Sequence, residues 1–117
     1  PKDRACEVTP VAVKSSAGAL THLPVARVTN LRRALSDLKE AGYWVVGTVA
    51  DGGQDLKTID FQQPIALVIG SEGKGMRQKV GEMCDFLAHI PIDERQASLN
   101  ASVAGSICMY ESVRQRT

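Results

Sequence analysis

The chain has 117 residues, 44% hydrophobic and 23% charged, a near-average globular composition that excludes intrinsic disorder and suits one small domain with its own core. Fourteen Lys and Arg against thirteen Asp and Glu leave a formal charge of +1, so no polybasic arm offers bulk attraction to nucleic acid. The longest uncharged apolar stretch, 64–70, falls far short of the roughly 20 residues a membrane helix needs.

Thr9-Pro10 has the form of an N-cap followed by proline in the first helical position, and predicts a short helix over 9–18 that ends near Gly18. Residues 23–28 have the composition of a strand, with Pro24 at its start. Asn30 then caps a helix over 31–40, in which Leu31, Ala34, Leu35 and Leu38 recur at i, i+3, i+4 and i+7. Ala41-Gly42 closes it. The β-branched and aromatic run 43–49 predicts a strand buried on both faces, as in a parallel sheet. Asp51-Gly52-Gly53 breaks that strand, and a polar loop is expected as far as Gln63. A second apolar strand is expected over 65–69, a helix over 76–83, a strand over 86–90, a loop over 91–98 and a helix of about four turns over 99–114. Alternation of strand and helix predicts an α/β fold with a largely parallel sheet flanked by helices. Ligands in such folds sit beyond the carboxyl ends of the strands, here 48–51, 70–75 and 91–98.

Two of those three places carry chemistry. The loop Gly70-Ser71-Glu72-Gly73-Lys74-Gly75 follows a buried strand directly, where glycine lets backbone N–H groups approach a ligand. It is neither a P-loop, since Lys74 is followed by glycine rather than Ser or Thr, nor a dinucleotide fingerprint, since its spacing is GxxGxG. A tight turn alone would also account for it. Glu72 would repel phosphate; a carboxylate there suits a cation, a hydroxyl or an amine, or caps the next helix. The second block, 91–100, delivers Ser98 and Asn100 to a helix start, where both are good capping residues. The following helix holds Ala101, Ser102, Ala104, Gly105 and Ser106, small residues that permit close packing either on a partner helix or on the chain itself.

The three cysteines, Cys6, Cys84 and Cys108, show no disulfide or CxxC spacing, which points to a reducing compartment such as the cytoplasm. Cys84 and Cys108 lie among apolar residues and read as small buried hydrophobes. His22 and His89 are isolated, and no cluster has metal-ligand spacing, so no metal is expected. No GxSxG elbow supports a catalytic triad. No secretory signal is visible, and with Pro1 in place of Met the expectation is a processed or truncated piece of a longer chain.

Residues 65–76, IALVIGSEGKGM, and the block Ile90-Pro91…Ser98-Leu-Asn-Ala-Ser-Val-Ala-Gly105…Tyr110-Glu111 together resemble signature motifs two and three of the SpoU/TrmH group of RNA ribose 2′-O-methyltransferases, in the SPOUT superfamily. The likeness is dense from about Pro64 to Arg116. Upstream, Arg27-Val-Thr-Asn-Leu31 and Trp44-Val-Val-Gly-Thr48 resemble the bacterial subgroup that methylates a guanosine of large-subunit ribosomal RNA. The resemblance implies a C-terminal deep trefoil knot, S-adenosylmethionine as methyl donor, an RNA substrate and a homodimer with sites near its interface. It assigns Gly70, Gly75, Ile90 and Leu99, with Thr48 as a weaker addition, to the cofactor. It assigns Glu72, Ser98 and Asn100 to positioning the ribose hydroxyl and the cofactor. No metal is implied.

The family's earlier motif, a strand followed by Asn-x-Gly-Ala and an arginine, has no match in this chain, and Arg4, Arg27 and Arg95 stand outside its context. A catalytically silent RNA-binding or dimerising relative is therefore the alternative function, with an unrelated nucleotide-binding α/β module behind it. The domain expected is a single methyltransferase catalytic unit over 1–117.

Overall fold

The computed structural model describes residues 22–70, 78–93 and 99–117. Their elements in chain order are helix α1 (Leu31–Glu40), strand β1 (Trp44–Thr48), strand β2 (Gln54–Asp55), a 3-10 turn (Leu56–Thr58), strand β3 (Ile65–Val68), helix α2 (Gln78–Gly81), strand β4 (Phe86–His89) and helix α3 (Ala101–Arg116). The four strands form one wholly parallel sheet in the order β2-β4-β1-β3. Val46 stands opposite Leu67 on one side and Phe86 on the other, so β1 is a central strand.

Local chemistry explains the well-formed elements. Asn30 caps α1, its side-chain oxygen accepting the Arg33 N–H at 3.2 Å, and Gly42 follows the helix with a φ of +97°. Alternation along β1 sends Val46 and Val45 to opposite faces, both fully buried. Val46 joins Leu56, Ile59, Phe61, Ala88 and Cys108 in the main core, with Ile65, Leu67, Phe86 and Ile90 packed around it. Burial of Val45 through Gly47 bears out the two-sided strand, but Tyr43 and Trp44 at its start are about 40% exposed.

The expected strand over 23–28 is a correction. The segment is irregular, and two of its three larger apolar side chains are exposed, Leu23 at 62% and Val25 at 51%, with Val28 half-buried. Strand propensity without a face to bury does not make a strand. The expected polar loop over 54–63 is a second correction: it contains β2, the 3-10 turn and three core residues, Leu56, Ile59 and Phe61. Asp55 caps that turn through the Lys57 N–H at 3.0 Å. The helix expected over 76–83 is described only as α2, with turn geometry at 82–83; 76 and 77 lie outside the described residues. So does the helix expected over 9–18. The last helix begins and ends two residues later than expected, at Ala101 and Arg116.

The C-terminal turn of α3 clamps the segment 59–63. Gln115 accepts the Phe61 N–H at 2.8 Å and donates to the Ile59 carbonyl at 2.9 Å, while Arg116 donates to the carbonyls of Phe61 and Gln63 at 2.7 and 2.9 Å. Glu111 anchors the clamp, accepting two hydrogen bonds from Arg114 at 2.8 and 2.7 Å and one from Gln115 at 2.8 Å. The Arg114 hydrogen bonds, and then that of Gln115, lower the Glu111 carboxyl to about 2.

Gly105 is buried against Ile69 of the same chain, which answers the packing question left open by the small residues. A Cβ at Gly105 would meet Ile69 Cγ1 at 3.7 Å, an ordinary contact.

Candidate functional site

Parallel strands discharge at one edge, and here β1, β3 and β4 end there at Thr48, Val68 and His89. Thr48 joins two of the exits: its hydroxyl donates to the Val68 carbonyl at 3.4 Å and accepts the Gly70 N–H at 3.2 Å. A hydroxyl is the smallest side-chain group able to play both parts. The Val49 N–H binds the Ala88 carbonyl at 2.9 Å, tying β1 to the exit of β4.

Beyond β1 the chain turns through Asp51, Gly52 and Gly53. Gly52 and Gly53 have φ of +78° and +68°, in the left-handed region that glycine enters without strain. Gly53 also approaches β4 so closely that a Cβ would lie 2.5 Å from the Leu87 carbonyl oxygen. Asp51 accepts the Gly52 N–H at 2.9 Å, and His89 Nδ1 lies 2.8 Å from the Gly52 carbonyl oxygen.

Of the expected site residues, Thr48 and Gly70 are brought into direct contact, and Ile90, half-buried against the core, follows β4 immediately. Leu99 is half-buried just before α3. Asn100 is the N-cap of α3, its side-chain oxygen accepting the Val103 N–H at 2.8 Å. Because Gly105 rests on Ile69 at the exit of β3, Asn100 stands about 7.5 Å further along the helix axis. Glu72, Gly75 and Ser98 lie outside the described residues.

His89 is the residue that sequence reasoning left isolated. Its partner is 37 positions away, and no spacing rule joins them. Among the described residues no group of three or more His, Cys, Asp or Glu could hold a metal ion. Burial pushes both thiols up, with the neighbouring Asp85 charge adding to the effect at Cys84, which suits packing rather than nucleophilic attack. An open cleft lined by Tyr43, Gln62, Pro64, Ile65 and Arg116 sits at the opposite edge, by the amino ends of β1 and β3.

Comparison with known proteins gives a consistent result. A family model described as the SpoU rRNA Methylase family matches residues 1–110. A Bacillus subtilis (strain 168) protein named as a TrmH family tRNA/rRNA methyltransferase, YacO, is 53% identical over 116 residues, covering 99% of this chain and 47% of its own. A Ralstonia nicotianae protein named 23S rRNA (guanosine-2'-O-)-methyltransferase RlmB is 46% identical over 117 residues, covering all of this chain and 47% of its own. The chain thus spans about half the length of these curated relatives. Among solved structures, the SpoU methyltransferase AviRb from Streptomyces viridochromogenes, in complex with the cofactor AdoMet, matches with a TM-score of 0.86 and 36% identity over 96% of this chain and 47% of that one. The A. aeolicus TrmH/SpoU tRNA modifying enzyme matches with a TM-score of 0.85 and 28% identity, over 98% of this chain and 57% of that one.

Proposed function

This chain belongs to the SpoU rRNA Methylase family, and from that premise we propose that it is the catalytic domain of an S-adenosylmethionine-dependent RNA methyltransferase acting on a ribose 2′-hydroxyl, on a guanosine of ribosomal RNA. The observation that carries this reading is the family match over 1–110, which takes in both the glycine loop and the block around Asn100. The choice of guanosine and of ribosomal RNA follows the relative named for both, at 46% identity.

The strand exits suit the cofactor chemically. A purine and its ribose call for half-buried apolar contacts and main-chain hydrogen-bonding groups, and Ile69, Gly70, Ile90 and Leu99 offer both. On this reading Gly70, Gly75, Ile90, Leu99 and Thr48 hold the cofactor, and the Thr48 hydroxyl keeps the Gly70 main chain in place. The cofactor supplies a methyl group already activated on a sulfonium. What remains for the protein is alignment and proton management: the 2′-oxygen bonds to carbon as the carbon–sulfur bond breaks, and the hydroxyl proton departs to an acceptor.

Glu72, Ser98 and Asn100 position the hydroxyl and the cofactor. The capping bond uses one lone pair of the Asn100 oxygen, and the amide N–H donors can orient an oxygen lone pair; an amide is not basic enough to take the proton. The same reading includes the trefoil knot and action in the cytoplasm. It also includes a homodimer. Val103, Ile107, Met109, Tyr110 and Val113 leave α3 with apolar side chains exposed, Tyr110 at 70%, and such a surface suits a second copy of the chain.

The test is calorimetric titration of the full-length protein with S-adenosylmethionine and its demethylated product, followed by methyl transfer to ribosomal and transfer RNA with mapping of the modified nucleoside. Binding by the wild type, lost in Gly70→Val, and a 2′-O-methylguanosine in ribosomal RNA are expected, with transfer weakened in Asn100→Ala. Folded protein that binds no cofactor would overturn the proposal, and methylation of transfer RNA alone would overturn its choice of substrate.

A further inference from the structure

Resting on the methyltransferase reading above, we infer that His89 is a positioning residue for the cofactor: its imidazole holds the turn 50–53 against the exit of β4, so that this side of the pocket is formed before the cofactor arrives. A carbonyl oxygen can only accept, so the 2.8 Å contact with Gly52 requires the proton on His89 Nδ1.

Val49 before the turn and Gln54 after it are both tied to β4, and within the turn, among the described residues, three contacts stand out. Asp51 ties the Gly52 N–H within the turn itself, at 2.9 Å. Gly53 lies against the Leu87 carbonyl, close enough to exclude any side chain but through no directional bond. His89 supplies the hydrogen bond from a strand to the turn, and the next residue is Ile90, which the proposed site places on the cofactor. Turn and wall are thereby coupled through one residue. The turn also follows Thr48 and Val49, whose own bonds run to Gly70 and Ala88, so its position bears on the third exit as well.

Two consecutive glycines give the turn more backbone freedom than any other pair would. Without the imidazole donor that freedom returns in the unliganded protein, and binding must order it, which lowers affinity without touching the reacting atoms. Asparagine offers a side-chain N–H the same number of bonds from Cα as Nδ1, and so can restore the contact; leucine fills the space with no donor.

The experiment compares the full-length wild type with His89→Leu and His89→Asn. S-adenosylmethionine affinity is measured by calorimetry, KM for each substrate and kcat by methyl transfer, and folding by thermal melting. His89→Leu should bind the cofactor about tenfold more weakly, the scale of one hydrogen bond, and raise its KM alone, with kcat and the KM for RNA unchanged. His89→Asn should stay within about twofold of the wild type, since the donor is kept. Undiminished binding by His89→Leu, or equal losses in both variants, would overturn the inference. Nitrogen NMR of the wild-type ring gives a second reading that does not depend on any variant folding: protonated Nδ1 is expected, and a neutral ring protonated on Nε2 would overturn it. Absence of cofactor binding by the wild type would instead bring down the methyltransferase reading itself, a result distinct from loss confined to the variant.

Discussion

The two ends of the sheet are joined by different means. At the amino end long polar side chains do the work: the Val45 N–H donates to the Asp85 carboxylate at 2.8 Å, Lys39 sits 3.3 Å from the same carboxylate, and Gln115 and Arg116 close over 59–63. At the carboxyl end the joints are one hydroxyl, one imidazole and main chain: Thr48 to Val68 and Gly70, Val49 to Ala88, His89 to Gly52. Long side chains consume the main-chain groups they reach. On the proposed reading, the small ones leave the strand exits to the cofactor, so that stabilising side-chain joints lie at one end of this molecule and cofactor-facing main chain at the other.

Substitutions can break that division, and the largest effect is expected at the crowded glycine of the carboxyl end. Gly53→Val should destabilise by about 3 kcal/mol or more, combining left-handed φ with a backbone clash. Gly52→Val, with nothing within 4 Å of its Cβ, should lose only about 1–2 kcal/mol. Urea unfolding of the pair separates the two causes. At the amino end, Gln115→Leu strands the Phe61 N–H and the Ile59 carbonyl, and should lower stability by about 2 kcal/mol. Calorimetry should find its cofactor affinity unchanged; a loss there would mean the two ends are not independent.

Smaller effects sharpen the same comparison. Gly105→Ala adds a methyl group in ordinary contact with Ile69 and should raise stability by about 0.5–1 kcal/mol through helix propensity. A decrease would mean that α3 sits closer to the exit of β3 than these contacts indicate. Glu111 should make its full and constant contribution near neutral pH and then lose it in acid. Its carboxyl is lowered from the ordinary 4.5 to about 2, so its stabilisation is complete above about 4.5 and is lost as pH falls toward 2. Glu111→Gln should flatten that acid limb of an unfolding series.

What the sequence reveals follows the range over which each element is decided. Helix α1 was legible because its cap, its apolar spacing and its closing glycine are all local. Strands β1, β3 and β4 were legible because apolar runs bounded by turn residues carry their own signal, and the exits at Thr48 and Gly70 followed from them, whereas Ile90 came from the family resemblance. The segment 54–63 was not. Its polar composition hides Leu56, Ile59 and Phe61, and the bonds that hold it come from residues 53 to 56 positions later. Residues 23–28 failed in the opposite way, with strand composition but no surface to bury it. The same limit hid His89, since Asp51-Gly52-Gly53 announces a turn but not what the turn is bonded to.

The clamp also dictates an order of events during synthesis. Leu56, Ile59 and Phe61 are made early, yet Cys108, which shares their core, and Gln115, which satisfies their backbone, come about fifty residues later. At ribosomal speeds of 5–20 residues per second that is roughly 3–11 seconds in which three large apolar side chains have no lid. The core around 56–61 is therefore completed only when the last helix has been made.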